Sequence, residues 1–150
     1  MPTETALGMK WPHQVGLIPI FHLLLFGWMP SALKIRAYRI LLGYSIGSNV
    51  SIGLGSVIVG KKVEIGEYTK IDFGVLVRGR SIVIGHHVSI GAMTVINTRR
   101  IEIGDGAVIT EKVTIGGNVH MENSAFILGR NTTVMYNTYI NTFERVSIGD

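Results

Sequence analysis

The chain has 150 residues, a formal net charge of +4 at neutral pH and no cysteine. The absence of cysteine excludes disulfides and thiolate metal sites. Most of the positive charge lies at the start, because residues 1–45 hold four basic residues against one acidic residue. The rest of the chain shows no basic and aromatic surface and no known nucleic-acid motif, so we expect no nucleic-acid partner.

An uncharged, largely apolar segment opens the chain, with no charged side chain between Lys10 and Lys34. Its most apolar part, residues 15–29, is too short and too interrupted by proline to span a bilayer, which takes about 20 residues. The segment therefore predicts either an interfacial contact with a membrane or a cap on the domain that follows. Trp11 and Trp28 bracket it as boundary anchors would. A cleaved signal peptide fits least, because Glu4 precedes the apolar part and no cleavage site is evident.

A helix is predicted over residues 31–42. It carries Lys34, Arg36 and Arg39, which would suit a surface of anionic lipid. All four prolines lie at or before Pro30, as expected if the later residues form inner strands, which cannot spare an amide hydrogen. We therefore predict an N-terminal segment over residues 1–44 and a repeat domain over residues 45–150, and a cytoplasmic protein that is peripheral to the membrane.

Large aliphatic residues recur after residue 45 in steps of six and seven, and glycine often follows them. Three steps make a turn of 19 residues from Ile46 to Ile65, Ile84 and Ile103, and turns of 18 and 19 residues are predicted beyond. Smaller residues lie two positions before each step. The large residues predicted to face inward are Ile46, Ile52, Ile58, Ile65, Ile71, Val77, Ile84, Ile90, Ile96, Ile103, Ile109, Ile115, Met121, Ile127, Val134, Ile140 and Ile148.

Two inward positions in six residues are typical of a short strand followed by a corner. The residue after each large aliphatic is often glycine, or else Asp72, Asn97 or Asn141, and we expect it to take the left-handed backbone conformation. An amphipathic helix would need a different spacing. The predicted fold is all-β: a triangular prism of parallel strands stacked about 4.8 Å apart, with about five and a half turns, behind an amphipathic helical segment.

The hexads Ile46-Gly-Ser-Asn-Val-Ser and Ile84-Gly-His-His-Val-Ser resemble those of the hexapeptide-repeat acyltransferases, in particular the acetyltransferase-like branch. The resemblance covers about seven-tenths of the chain. It implies a left-handed parallel β-helix and a homotrimer with sites between neighbouring prisms. It also implies transfer of an acetyl or other acyl group from coenzyme A, the co-substrate, to a hydroxyl or amine of a saccharide-type acceptor, without a bound cofactor.

Histidine is the usual general base for acyl transfer, and the repeat domain contains His86, His87 and His120. The periodicity predicts that these three lie outward and apart from one another. They are therefore expected to form neither a metal triad nor a base with an orienting partner, and solvated surface histidines are the simpler interpretation.

The family's base follows an aliphatic residue, one further residue and threonine. Ile96-Asn-Thr and Ile140-Asn-Thr begin in this way, but neither continues to a histidine. The catalytic residue is therefore unassigned, and the resemblance leads us to expect a chain that is truncated after Asp150, before the catalytic turn.

A column of cations recurs with the 19-residue period: Lys61, Arg80 and Arg99. Three more cations lie beside it: Lys62, Arg78 and Arg100. Six positive groups along one corner predict a site for an anion, such as a coenzyme A phosphate, a phosphorylated sugar or a lipid head group. The alternative is a solvated ridge that Glu64 and Glu102 partly neutralise.

Two other functions stay open. One is a non-catalytic β-helix that serves as a scaffold or a membrane-associated assembly module. The other is a γ-type carbonic anhydrase, which shares the prism, and whose Arg-Gly-Asp stretch is faintly similar to residues 75–80. Arg80 stands where that family has Asp, however, and Asn97, Gly117 and Glu122 stand near its zinc histidines. We therefore predict no metal site.

Overall fold

The structure, a computed structural model, describes residues 24–149 and consists of sixteen strands and one long helix, α1 (Ser31–Leu41). Each turn of the chain adds one strand to each of three parallel sheets. Sheet A contains β1 (Ser45–Ile46), β4 (Lys62–Ile65), β7 (Ser81–Ile84), β10 (Arg100–Ile103), β13 (Ala125–Leu128) and β16 (Arg145–Ile148). Sheet B contains β2 (Ser51–Ile52), β5 (Lys70–Ile71), β8 (Ser89–Ile90), β11 (Val108–Ile109) and β14 (Thr133–Val134). Sheet C contains β3 (Val57–Val59), β6 (Leu76–Arg78), β9 (Val95–Asn97), β12 (Thr114–Gly116) and β15 (Tyr139–Asn141).

This arrangement confirms the predicted parallel β-solenoid, while its left-handedness stays a prediction from the resemblance. The 19-residue turn is confirmed as well, since Ile46 pairs with Ile65, Ile65 with Ile84, and Ile84 with Ile103. The paired isoleucines are buried and form one apolar core along the axis. A parallel solenoid stacks equivalent residues from successive coils, so a periodic sequence produces continuous inner columns.

The predicted register is wrong beyond Ile115. Ile103 pairs with Leu128 and not with Met121, and Phe126 and Leu128 are buried while Ile127 faces outward. Met121 is 45% exposed and lies outside the core. The cause is a connection of eight residues, 117–124, between β12 and β13, where the three earlier connections of this corner have two residues each.

The glycines that follow the core isoleucines have a different role from the one predicted. Most left-handed residues lie three positions after the core residue, at Asn49, Gly55 and Tyr68 and at their equivalents in later coils, whereas Gly149 directly follows Ile148 as predicted. At several of these positions glycine leaves room for the next coil, which lies too close for a side chain. A Cβ at Gly66 would lie 2.5 Å from the carbonyl carbon of Gly85, and one at Gly53 would lie 2.6 Å from that of Asp72.

Helix α1 lies across the open end of the first coil and bonds to backbone groups that would otherwise form an unpaired edge. The Ser31 hydroxyl accepts a hydrogen bond from the Ile52 amide at 2.9 Å. The Tyr38 hydroxyl accepts one from the Ile58 amide at 3.1 Å. Such caps matter because an open strand edge pairs with other chains. Helix α1 therefore caps the first coil. The membrane contact or cap predicted for residues 15–29 stays a prediction, since residues 15–23 lie outside the described residues.

Two of the three basic residues of α1, which were predicted to suit a surface of anionic lipid, bond to the first coil. Lys34 is fully buried, and its ammonium donates to the carbonyls of Gly53 at 2.8 Å and Ser56 at 3.0 Å. The Arg39 guanidinium donates to the carbonyls of Ile46 and Gly47. The helix directs these two cations to the first coil because its edge carbonyls need donors. No helix within residues 24–149 is long and apolar enough to cross a membrane.

An aromatic cluster completes the cap. The Tyr38 ring lies 4.9 Å from Phe26 and 5.4 Å from Tyr44, measured between ring centroids. The Tyr44 hydroxyl exchanges hydrogen bonds of 3.1 Å with the amide and carbonyl of Gly60. The cap thus bonds to all three sheets, at Ile46 in sheet A, Ile52 in sheet B and Ile58 in sheet C. Residues 1–23, which include most of the predicted apolar segment, lie outside the described residues.

Burial of Lys34 predicts a specific dependence of stability on pH. Burial lowers the pKa of its ammonium to about 8, whereas an unfolded lysine titrates near 10.4. Between these values the unfolded chain binds more protons than the folded chain, so the free energy of unfolding rises with pH, by up to about 3 kcal/mol. Burial also raises the pKa values of Tyr38 and Tyr44. Stability should therefore fall again above about pH 10, where unfolded tyrosines ionise.

The measurement is the urea midpoint of unfolding at several pH values between 7 and 11. Lys34→Met keeps the apolar stem but removes the amine, so this variant should show no rise between pH 8 and 10. The matched control is Lys70→Met, because Lys70 is exposed on sheet B, and it should behave as the parent protein does. Equal slopes for the parent and Lys34→Met would contradict the prediction.

Candidate functional site

The predicted cation column lies at the corner between sheets C and A, which we call the basic corner: Lys61, Arg80 and Arg99. These residues occupy equivalent positions in three successive coils, since the Arg80 amide bonds to the Arg99 carbonyl at 2.8 Å and the Lys61 amide to the Arg80 carbonyl at 3.1 Å. Lys61 and Arg80 are exposed, and Arg99 is half-buried. Strand spacing then places three positive groups at intervals of about 4.8 Å along one edge of the prism.

Two of the three flanking cations, Lys62 and Arg100, have acidic partners on their own strands. Lys62 pairs with Glu64 at 3.2 Å, and the Nε of Arg100 donates to Glu102 at 2.7 Å. Arg78 lies on β6 in register with Asn97. Within the part of the chain that the structure describes, Lys61, Arg80 and Arg99 form no ion pair. Glu64 and Glu102, which were predicted to neutralise the ridge, therefore pair with flanking cations. The column of Lys61, Arg80 and Arg99 keeps its positive charge.

The extra loop of residues 117–124 emerges from the basic corner, in the coil after Arg99. It starts beyond Gly116, which pairs with Asn97, and it ends at Ala125, which pairs with Arg100. The loop is held by its own hydrogen bonds, including one from the His120 amide to the Asn118 side-chain oxygen at 2.9 Å. His120 is exposed on it. The loop that carries this exposed histidine thus leaves the prism at the same edge as the three cations.

Buried hydroxyl groups anchor the end of this loop at Ser124. The Ser124 hydroxyl lies 2.6 Å from that of Thr98 and donates to the Thr142 carbonyl at 2.6 Å. All three residues are fully buried. Two further oxygens nearby, Oδ1 of Asn97 and Oγ1 of Thr142, are buried without a hydrogen-bond partner in the described residues. Bonded hydroxyls restrain the loop, because breaking them would leave buried polar groups unpaired.

The extra loop was not predicted, although the sequence contains a signal for it. Leu128-Gly-Arg-Asn repeats the pattern of Ile46-Gly-Ser-Asn, and Asn131 takes the same left-handed conformation as Asn49. Aligning these two hexads places Leu128, not Ile127, in the core and makes the preceding connection six residues too long. Met121, which the spacing placed in the core, therefore lies on this loop together with His120.

His86 and His87 lie at the corner after sheet A, in the coil of β7. The Nδ1 of His86 accepts a hydrogen bond from the Glu67 amide at 3.0 Å, so the neutral ring carries its proton on Nε2. His87 stacks on Tyr68, with ring centroids 5.0 Å apart. Both are exposed. As predicted, they do not converge with His120, since loop 117–124 belongs to another corner.

A shallow, open depression of about 470 Å³ lies beside this second corner. Glu102, Asp105 and Arg130 line it together with glycines of successive coils. Asp105 pairs with Arg130 at 3.5 Å and also accepts the His86 amide at 2.8 Å. These polar groups therefore bond to one another. The depression exists because the stacked glycines have no side chains to fill it.

Metal ligands do not cluster in residues 24–149, where no group of three or more His, Asp and Glu side chains could hold an ion. At the positions compared with the zinc histidines of γ-type carbonic anhydrases, Asn97 is half-buried on β9, and Gly117 and Glu122 lie in the extra loop. These three residues offer one carboxylate, fewer ligands than a zinc site requires.

The comparisons with known proteins do not assign the chain to a family. A scan against models of protein families matched none, and neither the curated proteins nor the solved structures contained a match.

Proposed function

We propose that the protein is an acyltransferase of the hexapeptide-repeat type, which transfers an acyl group from coenzyme A to a hydroxyl or amine of a saccharide-type acceptor. The observation that carries the proposal is the meeting of two chemistries at one corner. Three stacked cations suit the phosphates of the donor, and an imidazole on the adjacent loop suits general-base catalysis. The hexads at Ile46 and Ile84 agree with this class.

The basic corner fits an extended, multiply charged ligand better than a single ion. Lys61, Arg80 and Arg99 are spread over three coils, roughly 10 Å of prism edge at the usual strand spacing. Like charges at this distance repel one another, so an anion that contacts all three relieves the repulsion and gains charge-assisted hydrogen bonds. The phosphates of coenzyme A have this distribution.

His120 is the best-placed base of the three histidines in the repeat domain. His86 has its Nδ1 lone pair engaged by the Glu67 amide, and His87 stacks on Tyr68 at the other corner. Within the described residues, the His120 amide donates to Asn118 and the imidazole has no hydrogen-bond partner. The residue is exposed on the loop that leaves the basic corner. A base must reach its proton with an unoccupied nitrogen, and His120 meets that requirement.

The proposed reaction follows from these positions. The His120 imidazole removes the proton of the acceptor hydroxyl or amine while the acceptor oxygen or nitrogen attacks the thioester carbonyl carbon. The tetrahedral intermediate collapses by breaking the carbon–sulfur bond, and the imidazolium returns the proton to the coenzyme A thiolate. The basic corner holds the donor through its phosphates, so the cations contribute mainly to binding of coenzyme A. The trimer implied by the resemblance stays part of the proposal.

Calorimetric titration with coenzyme A tests donor binding. The double variant Arg80→Glu plus Arg99→Glu should weaken binding by at least about 100-fold, because each reversed cation loses a charge-assisted contact of about 1.5 to 3 kcal/mol. The same double variant should lose less affinity for pantetheine, because pantetheine has no phosphate. The matched control is Lys70→Glu plus Lys112→Glu, which changes the charge equally at exposed positions on other parts of the prism.

Wild-type affinity in the Arg80 and Arg99 variant would contradict the proposal and favour the solvated ridge. Absence of binding even in the parent protein would favour the second function class, a non-catalytic scaffold. Both variants should retain the parental unfolding midpoint, since all four side chains lie outside the core.

A further inference from the structure

Helix α1 has one buried face and one exposed face. Lys34, Ile35 and Tyr38 point into the prism and are buried. Leu33, Arg36 and Ile40, spaced i, i+3 and i+7, lie on the opposite side of the helix. Leu33 is 52% exposed and Ile40 is 79% exposed. Because the helix covers the open end of the first coil, this outward stripe forms the end surface of the prism.

Other large apolar side chains are exposed at the same end of the prism, and we call them, together with the stripe, the apolar patch. Trp28 is 83% exposed, and Leu24, Leu25 and Leu41 are exposed as well. The segment before α1 is tied to the same end, since the Gly27 carbonyl accepts the Gly55 amide. Single exposed apolar residues are ordinary, but a contiguous group of large ones marks an interaction surface.

The sequence that precedes this patch is also apolar. Residues 11–23 carry no charged side chain and include Leu17, Ile18, Ile20 and Phe21. They lead directly into Leu24. An apolar stretch that continues into an apolar end surface, with Trp28 and Arg36 beside it, has the composition of an interfacial membrane anchor.

We propose that the α1 end of the prism docks on an anionic lipid bilayer, with the coils standing away from the membrane. Leu33, Ile40 and Trp28 would enter the boundary of the acyl chains, and Arg36 would contact lipid phosphate. A second copy fits this surface less well. Two α1 stripes packed face to face would bring their Arg36 side chains together, and α1, with the sequence SALKIRAYRIL, has no acidic residue to pair with them.

Docking in this orientation predicts that the strands of sheet B lie farther from the bilayer with each coil after the first. Ser51 lies in the first coil beside α1, and Thr133 lies at the other end of the same column, four strands away. Strand spacing puts them roughly 20 Å apart along the axis. Both are exposed. Since the chain has no cysteine, Ser51→Cys and Thr133→Cys each provide one labelling site.

The first experiment is flotation of the full chain with vesicles of phosphatidylcholine, with and without phosphatidylglycerol. Leu33→Glu plus Ile40→Glu should reduce the bound fraction by about tenfold or more, since each change puts a charge into the apolar boundary. The control is Met135→Glu plus Tyr136→Glu, because these residues are equally exposed in the last full coil, far from α1. Arg36→Glu should lower binding only to vesicles that contain phosphatidylglycerol.

The second experiment attaches a fluorophore to the Ser51→Cys or the Thr133→Cys variant and measures its quenching by a quencher on the lipid head groups. The Ser51→Cys label should be quenched on vesicles and the Thr133→Cys label should not. Equal quenching, or no vesicle binding by the parent chain, would overturn the proposal. Light scattering identifies the rival occupants: a dimer that the Leu33 and Ile40 changes dissociate indicates a second copy. A lower unfolding midpoint for those changes without vesicle binding indicates that residues 1–23 cover the surface.

Discussion

Replacing His120 with glutamine should lower the rate of acyl transfer by about 100- to 10,000-fold, the usual contribution of a general base. Glutamine keeps the size and polarity of the side chain but accepts no proton. Donor binding should be unchanged, because the phosphates are held by Lys61, Arg80 and Arg99. The measurement is release of the coenzyme A thiol from acetyl-coenzyme A in the presence of a panel of saccharide acceptors, together with a binding titration.

The chain contains two matched controls for this experiment. His86→Gln and His87→Gln change exposed histidines at the other corner, and both variants should transfer acyl groups at the parental rate. Loss of activity in either of them, with full activity in His120→Gln, would move the base to the corner of β7 and contradict the assignment. Equal activity in all three variants would mean that no histidine of the repeat domain acts as the base.

Replacing Tyr38 with alanine should destabilise the fold by about 3 to 5 kcal/mol, the usual cost of truncating a large buried side chain. Tyr38 is fully buried, packs against Phe26 and Tyr44, and bonds to the Ile58 amide. Its loss leaves a cavity at the end of the core and a buried amide without a partner. Urea unfolding followed by circular dichroism measures the change.

Tyr38→Phe separates the two contributions to this effect. It keeps the ring and removes only the hydroxyl, so it should cost about 1 to 3 kcal/mol. Tyr139→Ala is the matched control, because Tyr139 is exposed on β15, and its cost should stay within about 0.5 kcal/mol. Tyr38→Ala should also associate in light scattering, since it exposes the first coil as an open edge. A cost no larger than that of Tyr139→Ala would contradict the capping role.

The core of the first three turns could be predicted residue by residue because a parallel solenoid repeats a local rule. Ile46, Ile65 and Ile84 face inward for the same reason, and their pairing follows from a constant step. The prediction failed after Ile115, where the step changes. Met121 satisfies the spacing by chance. The loop adds six residues to its corner, which equals one step of the repeat, so the spacing alone does not distinguish the loop from a further strand.

The candidate site was predictable only in part, for a related reason. The 19-residue period predicts the column of Lys61, Arg80 and Arg99, and the structure places these residues at equivalent positions in successive coils. The position of His120 depends on the length of one loop and on the hydroxyl bonds of Thr98, Ser124 and Thr142 that anchor it. These contacts join residues from three coils, and no local pattern in the sequence specifies them.

By itself, the sequence determined the fold class, the turn length and the column of cations, because each of these depends on residues at regular spacing along the chain. The tertiary structure decided which charges remain available. Lys34 and Arg36 lie two positions apart on one helix, yet the first is buried on backbone carbonyls and the second faces away from the prism. The difference arises from the unpaired carbonyls of the first coil, which exist only once the coils have stacked and left an end to be capped.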